Sequence, residues 1–118
     1  MSTGLREAVA RGRQVSDRAY LDAYAALSAA RERFWTATAE VNALLFPAAP
    51  DVAPVGMKTG DPRFIVPFTA LGGPIVSIPV GTGPGGLPLG LMLIGAPGTD
   101  AVTASVAARV APVIELPR

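Results

Sequence analysis

Residues 59–95 read TGDPRFIVPFTALGGPIVSIPVGTGPGGLPLGLMLIG. No side chain between residues 64 and 99 is charged. Short apolar runs alternate with proline and glycine, the pattern of strands and tight turns meant to be covered on both faces. Residues 75–80 predict one strand and residues 89–94 another. The segment GTGPGG, residues 81–86, predicts the loop joining them as an antiparallel pair. Pro79 and Pro88 place raggedness at the loop end of that hairpin. A phosphate cradle fails on context, because no Lys-Ser/Thr follows the glycines and the next element is a strand, not a helix. Upstream, residues 64–71 are apolar but broken by Pro67. They fit either a short helix beginning near Pro67 or an extended segment, followed by a turn at Gly72-Gly73-Pro74.

Composition bounds the rest. The chain has 118 residues, half of them hydrophobic and 16% charged, which suits one globular unit rather than a disordered chain. The net charge is +1 and the arginines interleave with acids, so no nucleic-acid footprint is expected. Cysteine and histidine are both absent, which removes disulfides, thiolate metal sites, the commonest metal ligand and the commonest general base. The first twenty residues carry Arg6, Glu7, Arg11, Arg13, Asp17 and Arg18 and show no secretory h-region. The long uncharged stretch does not predict a membrane span, since its prolines and glycines would leave backbone groups unpaired in lipid. A cytoplasmic protein is the expectation.

The composition changes at Pro47. Before it there is no proline and only Gly4 and Gly12; from it on come all twelve prolines and eleven glycines. Residues 1–41 therefore read as helical, and residues 42–118 as sheet, Gly/Pro-rich loops and a final helix, together one partial domain. Residues 5–11 predict a short helix stopped by Gly12. Ser16 reads as the N-cap of a long helix over residues 17–40, with Asp17 in its first turn and Val15 and Tyr20 placed as a hydrophobic staple. Tyr20, Tyr24, Leu27, Phe34 and Val41 form one apolar stripe, expected to pack on a sheet. An aromatic ligand box from Tyr20, Tyr24, Phe34 and Trp35 is the minor alternative. Residues 43–46 predict a short strand, uncharged on both faces, of the central parallel type. Residues 55–63 read as a loop around Gly56, Gly60 and Asp61-Pro62. Thr99 is placed as the N-cap of a last helix over residues 100–110, with Val102, Val106 and Val110 as its buried stripe and Pro112 as its end; Val113-Ile114 would add a terminal strand. The fold class expected is thus α/β: a mixed β-sheet with a long N-terminal and a C-terminal helix.

Chemistry-bearing residues are few. Asp51, Asp61, Asp100 and Glu115 are dispersed, and turn or cap roles account for each. The serines are Ser2, Ser16, Ser28, Ser77 and Ser105, and Lys58 is the single lysine. Ser77 lies inside a strand, without the strained turn of a nucleophile elbow. An autonomous Ser-Lys hydrolase does not follow from this inventory.

The ordered run NALLFPAAPDVAP (42–54), TGDPRFIVPFTALGGPIVSIPVG (59–81) and GGLPLGLMLIGAPGTD (85–100) resembles the C-terminal portion of the amidase signature family. That family typically carries D-x-L-L-x-P-T-x-P-x-x-A-P, T-G-D, F-T-x-x-x-x-G-x-P-x-x-S-x-P-x-G and G-L-P-x-G-x-Q-L-I-G, then an Asp opening a helix. The resemblance extends over residues 5–116. It implies a large α/β/α amide hydrolase with a mixed sheet and a Ser-cisSer-Lys triad, whose residues belong to the N-terminal half and a Gly-Gly-Ser-Ser-Gly-rich signature. No Ser-Ser pair occurs here, and Lys58 matches no catalytic lysine position. The resemblance therefore implies no catalytic residue, no cofactor and no metal in this chain, with Phe68 and Thr69 as substrate-lining residues. Core packing competes with that role, because the surrounding stretch is apolar throughout. Asn42 stands where the family often has Asp, and Met92 where Gln is common.

Two functions follow as expectations. The first is a C-terminal piece or subunit of an amide C–N hydrolase, inert alone, acting in the whole enzyme on a small-molecule amide. The second is a non-catalytic interaction module on the same scaffold. In either case Leu44, Phe46, Ile75, Ile78, Leu91 and Leu93 are expected to border an apolar patch. Such a patch calls for a homo-oligomer or for a separate chain carrying the catalytic half.

Overall fold

A computed structural model describes residues 2–56 and 59–114. The order is α1 (Thr3–Gly12), α2 (Asp17–Ala37), β1 (Leu44–Pro47), α3 (Ile65–Leu71), β2 (Ile75–Thr82), β3 (Pro88–Ile94) and α4 (Asp100–Ile114). The three strands form one sheet in the order β1-β3-β2, antiparallel throughout. The α/β class holds. The segment read as a central parallel-type strand is instead an edge strand, paired only with β3 among the described residues.

The hairpin of β2 and β3 forms where glycine and proline dictate it. A 3₁₀ turn at Pro84–Gly86 carries Gly85 and Gly86 at φ of 69° and 72°, a region closed to most side chains. Gly83 donates to the Leu87 carbonyl at 2.8 Å and closes the loop. The register slips between Pro79 and Gly81, the raggedness expected from a proline that cannot donate to the ladder.

Strand alternation sorts the side chains into two cores. Val76, Ile78 and Val80 of β2 and Leu89, Leu91 and Leu93 of β3 face α4. Met92 and Ile94 face the other way and are sealed by Phe68 of α3, with Leu44, Ile75, Phe34 and Trp35 around them. The expected single apolar patch is thereby corrected. Ile78 and Leu93 are buried under α4, and Leu91 packs beside them, while Leu44, Phe46 and Ile75 belong to the opposite face.

The helices depart from their sequence stripes for geometric reasons. On α4 the buried residues are Thr103 and Ala107, with Val106, Val110, Ala111 and Ile114 packed alongside; Val102 is exposed. Each four-residue step turns about 40° past a full turn, so on a face centred on Thr103 and Ala107 Val106 and Val110 fall at its side and Val102 lies beyond its edge. Pro112 lies inside the helix, which continues to Ile114 in place of the expected strand. Gly12 closes α1 from within the helix rather than as a left-handed stop, and Arg13 follows it with helical angles. Ser16 caps α2 as expected, accepting from the Ala19 amide at 3.2 Å. Thr99 precedes α4, but its hydroxyl donates back to the Ala96 carbonyl at 2.7 Å instead of capping the helix.

α2 reaches the sheet only at its C-terminal end, where Phe34 and Trp35 pack against the cluster of Phe68, Met92 and Ile94. Its last turns dock on α3, and Tyr20 and Tyr24 remain 62% and 55% exposed. Neither α1 nor α2 has a buried residue. The molecule measures 52 × 41 × 18 Å with a radius of gyration of 17.6 Å. A compact chain of this length has a radius of about 13–14 Å. Its accessible surface is 8733 Å², against about 6,000 Å² for a compact protein of this mass. The surplus exceeds the roughly 800 Å² that one partner buries in a standard interface.

Candidate functional site

The face of the sheet away from α4 carries every sequence-derived site residue. Its placement begins with α3, a helix of seven residues that could not persist alone. Pro67 sits in its first turn, where a missing amide costs nothing, and Gly72 ends it in the left-handed conformation at φ 79°. The carbonyls left open at its C-terminal end are taken by α2. Arg31 Nε donates to the Ala70 carbonyl at 2.7 Å, and Trp35 Nε1 to the Leu71 carbonyl at 3.1 Å. This clamp sets the rotation of α3 and so the directions of Phe68 and Thr69.

Phe68 points into the sheet. It is 7% exposed, with its ring centroid 4.9 Å from that of Phe46 and 6.2 Å from that of Phe34. Thr69 points outward, its hydroxyl donating to the Ile65 carbonyl at 3.0 Å. Tyr20, Tyr24, Phe34 and Trp35 form no common box. Tyr20 stacks on Tyr24 in the exposed part of α2, and Phe34 meets Trp35 edge-on at 4.9 Å at the docked end. Met92 is fully buried beneath Phe68. A glutamine in that position would need partners for a buried amide, and the apolar ring cluster around it supplies none.

Beside this cluster lies a cleft of about 1020 Å³ that the sequence did not disclose. Residues 48–56 and 59–61 arch over β2 and β3, and Ser77, Pro79, Leu89 and Gly90 line the sheet beneath. Phe46, Met92 and Ser77 occupy one cross-strand row, so the cleft starts where the aromatic cluster stops. The arch is seated by Val52, whose Cγ1 lies 2.8 Å from where a Cβ on Gly83 would stand. Neither Phe68 nor Thr69 lines the cleft. The sequence signal for it was the pair of small residues, Ser77 and Gly90, interrupting strands that are otherwise bulky.

Electrostatics on this face are modest. Asp61 accepts from the Arg63 amide at 2.9 Å and from Arg63 Nε at 2.6 Å. These bonds hold its carboxyl below its ordinary pKa of 3.8, the side-chain bond from Arg63 being the main cause, and they raise Arg63 in return. A depressed carboxyl contributes order that is complete above its ordinary pKa and is lost as pH falls through its lowered value. The Arg63 amide resonance should therefore hold steady from neutral pH to about pH 5 and shift only at and below about pH 4. A midpoint above pH 5 would contradict this assignment. Asp51 accepts from the Val52 amide at 2.7 Å, a local turn role like that expected for it. Lys58 and Glu115 lie outside the described residues. Ser77 is exposed, and its hydroxyl makes no hydrogen bond among the described residues. Among those residues no three His, Cys, Asp or Glu side chains converge on a point that could hold a metal ion, and no helix is long and apolar enough to cross a membrane.

The model of the family described as Amidase matches residues 4–103. This chain belongs to the amidase family. A solved structure described as the crystal structure of amidase superimposes on 97% of it with a TM-score of 0.83 and 28% identity. A glutamyl-tRNA(Gln) amidotransferase subunit from Parvibaculum lavamentivorans is 41% identical over 87 residues, and the fatty acid amide hydrolase of Medicago truncatula is 41% identical over 71. Those matches cover 67% and 52% of this amidase chain but only 18% and 12% of the relatives. The chain likewise spans 29% of the solved amidase. The exposed α1 and α2 and the surplus surface accord with a part of an amidase fold.

Proposed function

We propose that this chain supplies the C-terminal, substrate-side part of an amide C–N hydrolase and is inert alone, the Ser-cisSer-Lys triad residing in the remainder of the enzyme. One observation carries this. The chain follows the amidase fold over nearly its whole length, yet it contains no Ser-Ser pair and spans under a third of the solved amidase. In the complete cytoplasmic enzyme the substrate is a small neutral amide, and the reaction passes through an acyl-enzyme formed on the serine of the other part. The catalytic part is either a separate chain or a region continuous with this one. It covers the outer stripe of α2 and the edge of β1, where Tyr20, Tyr24, Leu45 and Phe46 now meet water. Thr69 borders the substrate channel with its outward face, and Phe68 supports it from the core side.

The test is a comparison of two proteins. The chain alone, offered a small carboxamide, should release ammonia no faster than buffer. A chimera in which this chain replaces the matching 29% of the solved amidase should hydrolyse the same amide. Turnover by the isolated chain at ordinary enzymatic rates, about 1 s⁻¹ or more, would overturn the assignment of the triad. A folded but inactive chimera would overturn the hydrolase assignment.

A further inference from the structure

We propose that Arg31 is a positioning residue for amide hydrolysis: its grip on the last turn of α3 holds Thr69 in place at the substrate channel. The use of that grip rests on the amidase reading, with Thr69 as channel wall; the grip itself does not.

The last four carbonyls of a helix have no partner inside it. In α3 the Gly72 amide takes two of them, Phe68 at 3.1 Å and Thr69 at 3.3 Å. That leaves Ala70 and Leu71, and α2 supplies a donor to each, Arg31 Nε at 2.7 Å and Trp35 Nε1 at 3.1 Å. Every carbonyl of the last turn is thus satisfied, two of them from another element. Arg31 and Trp35 stand about one turn apart on α2 and hold two successive carbonyls, so α3 cannot roll or slide without breaking one of these bonds. Its first turn offers no such hold, because Phe64 makes no side-chain cap. Thr69 immediately precedes the gripped carbonyls, and its outward direction follows from them.

Arg31 is the separable half of this clamp. The Trp35 ring packs on the cluster of Phe68, Met92 and Ile94, and its edge lies 2.9 Å from where a Cβ on Gly73 would stand, so removing it would disturb the core. Arg31 is half-buried, and its guanidinium lies beside Gly72, with Nε and Cζ each 3.9 Å from where a Cβ there would stand. It makes no ion pair among the described residues. Its charge instead meets the negative end of α3, which strengthens the bond to Ala70. An arginine serving only solubility would point to water; this one turns its innermost donor onto a carbonyl 39 residues away.

The test uses two substitutions of matched reach. Arg31→Gln places an amide N–H at the same number of bonds from Cα as Nε, and Arg31→Met has that reach without a donor. In the isotope-labelled 118-residue chain, Arg31→Met should shift the Thr69, Leu71 and Gly72 amide resonances and speed their hydrogen exchange, leaving α4 in place. Arg31→Gln should reverse both changes. In the active chimera Arg31→Met should raise KM for the carboxamide about two- to tenfold, the equivalent of one hydrogen bond, with little change in kcat. Arg31→Gln should recover most of this. In a Thr69→Val background Arg31→Met should add little, because both changes act through one contact. An arginine that merely stabilised the fold would lower the folded fraction and leave KM alone. An unaltered KM therefore overturns the proposal, as do additive effects of Arg31→Met and Thr69→Val, a Thr69 resonance indifferent to Arg31→Met, or an Arg31→Met chain that loses its cooperative melt. If the α3 resonances move as expected and Thr69→Val leaves KM unchanged in an active chimera, the clamp stands and the channel role of Thr69 falls, and the proposal with it. An inactive chimera instead removes the hydrolase reading and, with it, the role assigned to Arg31.

Discussion

Gly95→Ala is expected to unfold the chain or to lower its melting temperature by about 10 °C or more. Gly95 follows β3, is buried, and donates its amide to the Pro74 carbonyl at 3.0 Å. A methyl group there would fall inside the van der Waals shell of Thr103 Oγ1 and stand 2.6 Å from Thr99 Oγ1. Neither threonine can step aside. Thr103 is fully buried and its hydroxyl donates to the Thr99 carbonyl at 2.9 Å, while the Thr99 hydroxyl donates to the Ala96 carbonyl at 2.7 Å. The obstruction is therefore the first turn of α4, not a flexible side-chain tip. Overpacking a rigid site costs about 1–3 kcal/mol, and here it meets two atoms at once, so the upper end applies. In a chain of this size each kcal/mol moves the melting temperature by roughly 4–8 °C. Thermal unfolding followed by circular dichroism checks this. Thr103→Ala in the Gly95→Ala background should recover part of the loss by removing the nearer oxygen. A melting temperature within about 2 °C of the parent would mean that α4 shifts freely against the sheet.

That same junction shows what the sequence could and could not say. The hairpin was legible because glycine and proline act locally: Gly85 and Gly86 impose the turn, and Pro79 interrupts the ladder whatever surrounds it. Ser16 was legible for the same reason, since a cap needs only its own helix. Thr99 looked identical by sequence, but its hydroxyl turns back to Ala96 because Thr103 stands beside it. The stripe on α2 was correctly periodic, but only its Phe34 end is covered, while Tyr20 and Tyr24 stay exposed. Periodicity reports that a face is apolar and cannot report what covers it, and α2 meets α3 only through its last turns. The cleft was harder still. It exists because residues 48–56 and 59–61 lie over Ser77 and Gly90, a long-range event with no local signature beyond two small residues in apolar strands. The family resemblance, by contrast, was carried by the order of many weak motifs, and the order survives in a chain that spans only part of the fold.

Phe68→Ala should cost about 3–5 kcal/mol, the range for removing a buried aromatic ring. Domains of ordinary stability hold only about 5–15 kcal/mol in all. The loss is expected to remove cooperative unfolding altogether, because the ring is the main apolar attachment of α3. It faces Phe46 across the sheet surface and closes over Met92 and Ile94. Without it α3 keeps the partly buried packing of Ile65 and Leu71 and the two hydrogen bonds from Arg31 and Trp35, and two such bonds contribute about 1–3 kcal/mol net at most. Thr69→Val gives the contrast. Its side chain is exposed and its hydroxyl bonds within its own helix, so the melting temperature should move by about 2 °C or less. In the active chimera the two should separate in a second way. Thr69→Val should change KM for the amide with little change in kcat, as a channel-wall contact would, while Phe68→Leu should leave KM near its parent value and lower the fraction of folded enzyme. A Phe68→Ala chain that melts within a few degrees of the parent would remove the ring from the core. The pair would then act together at the channel, and α3 would be held by Ile65, Leu71 and the bonds from Arg31 and Trp35.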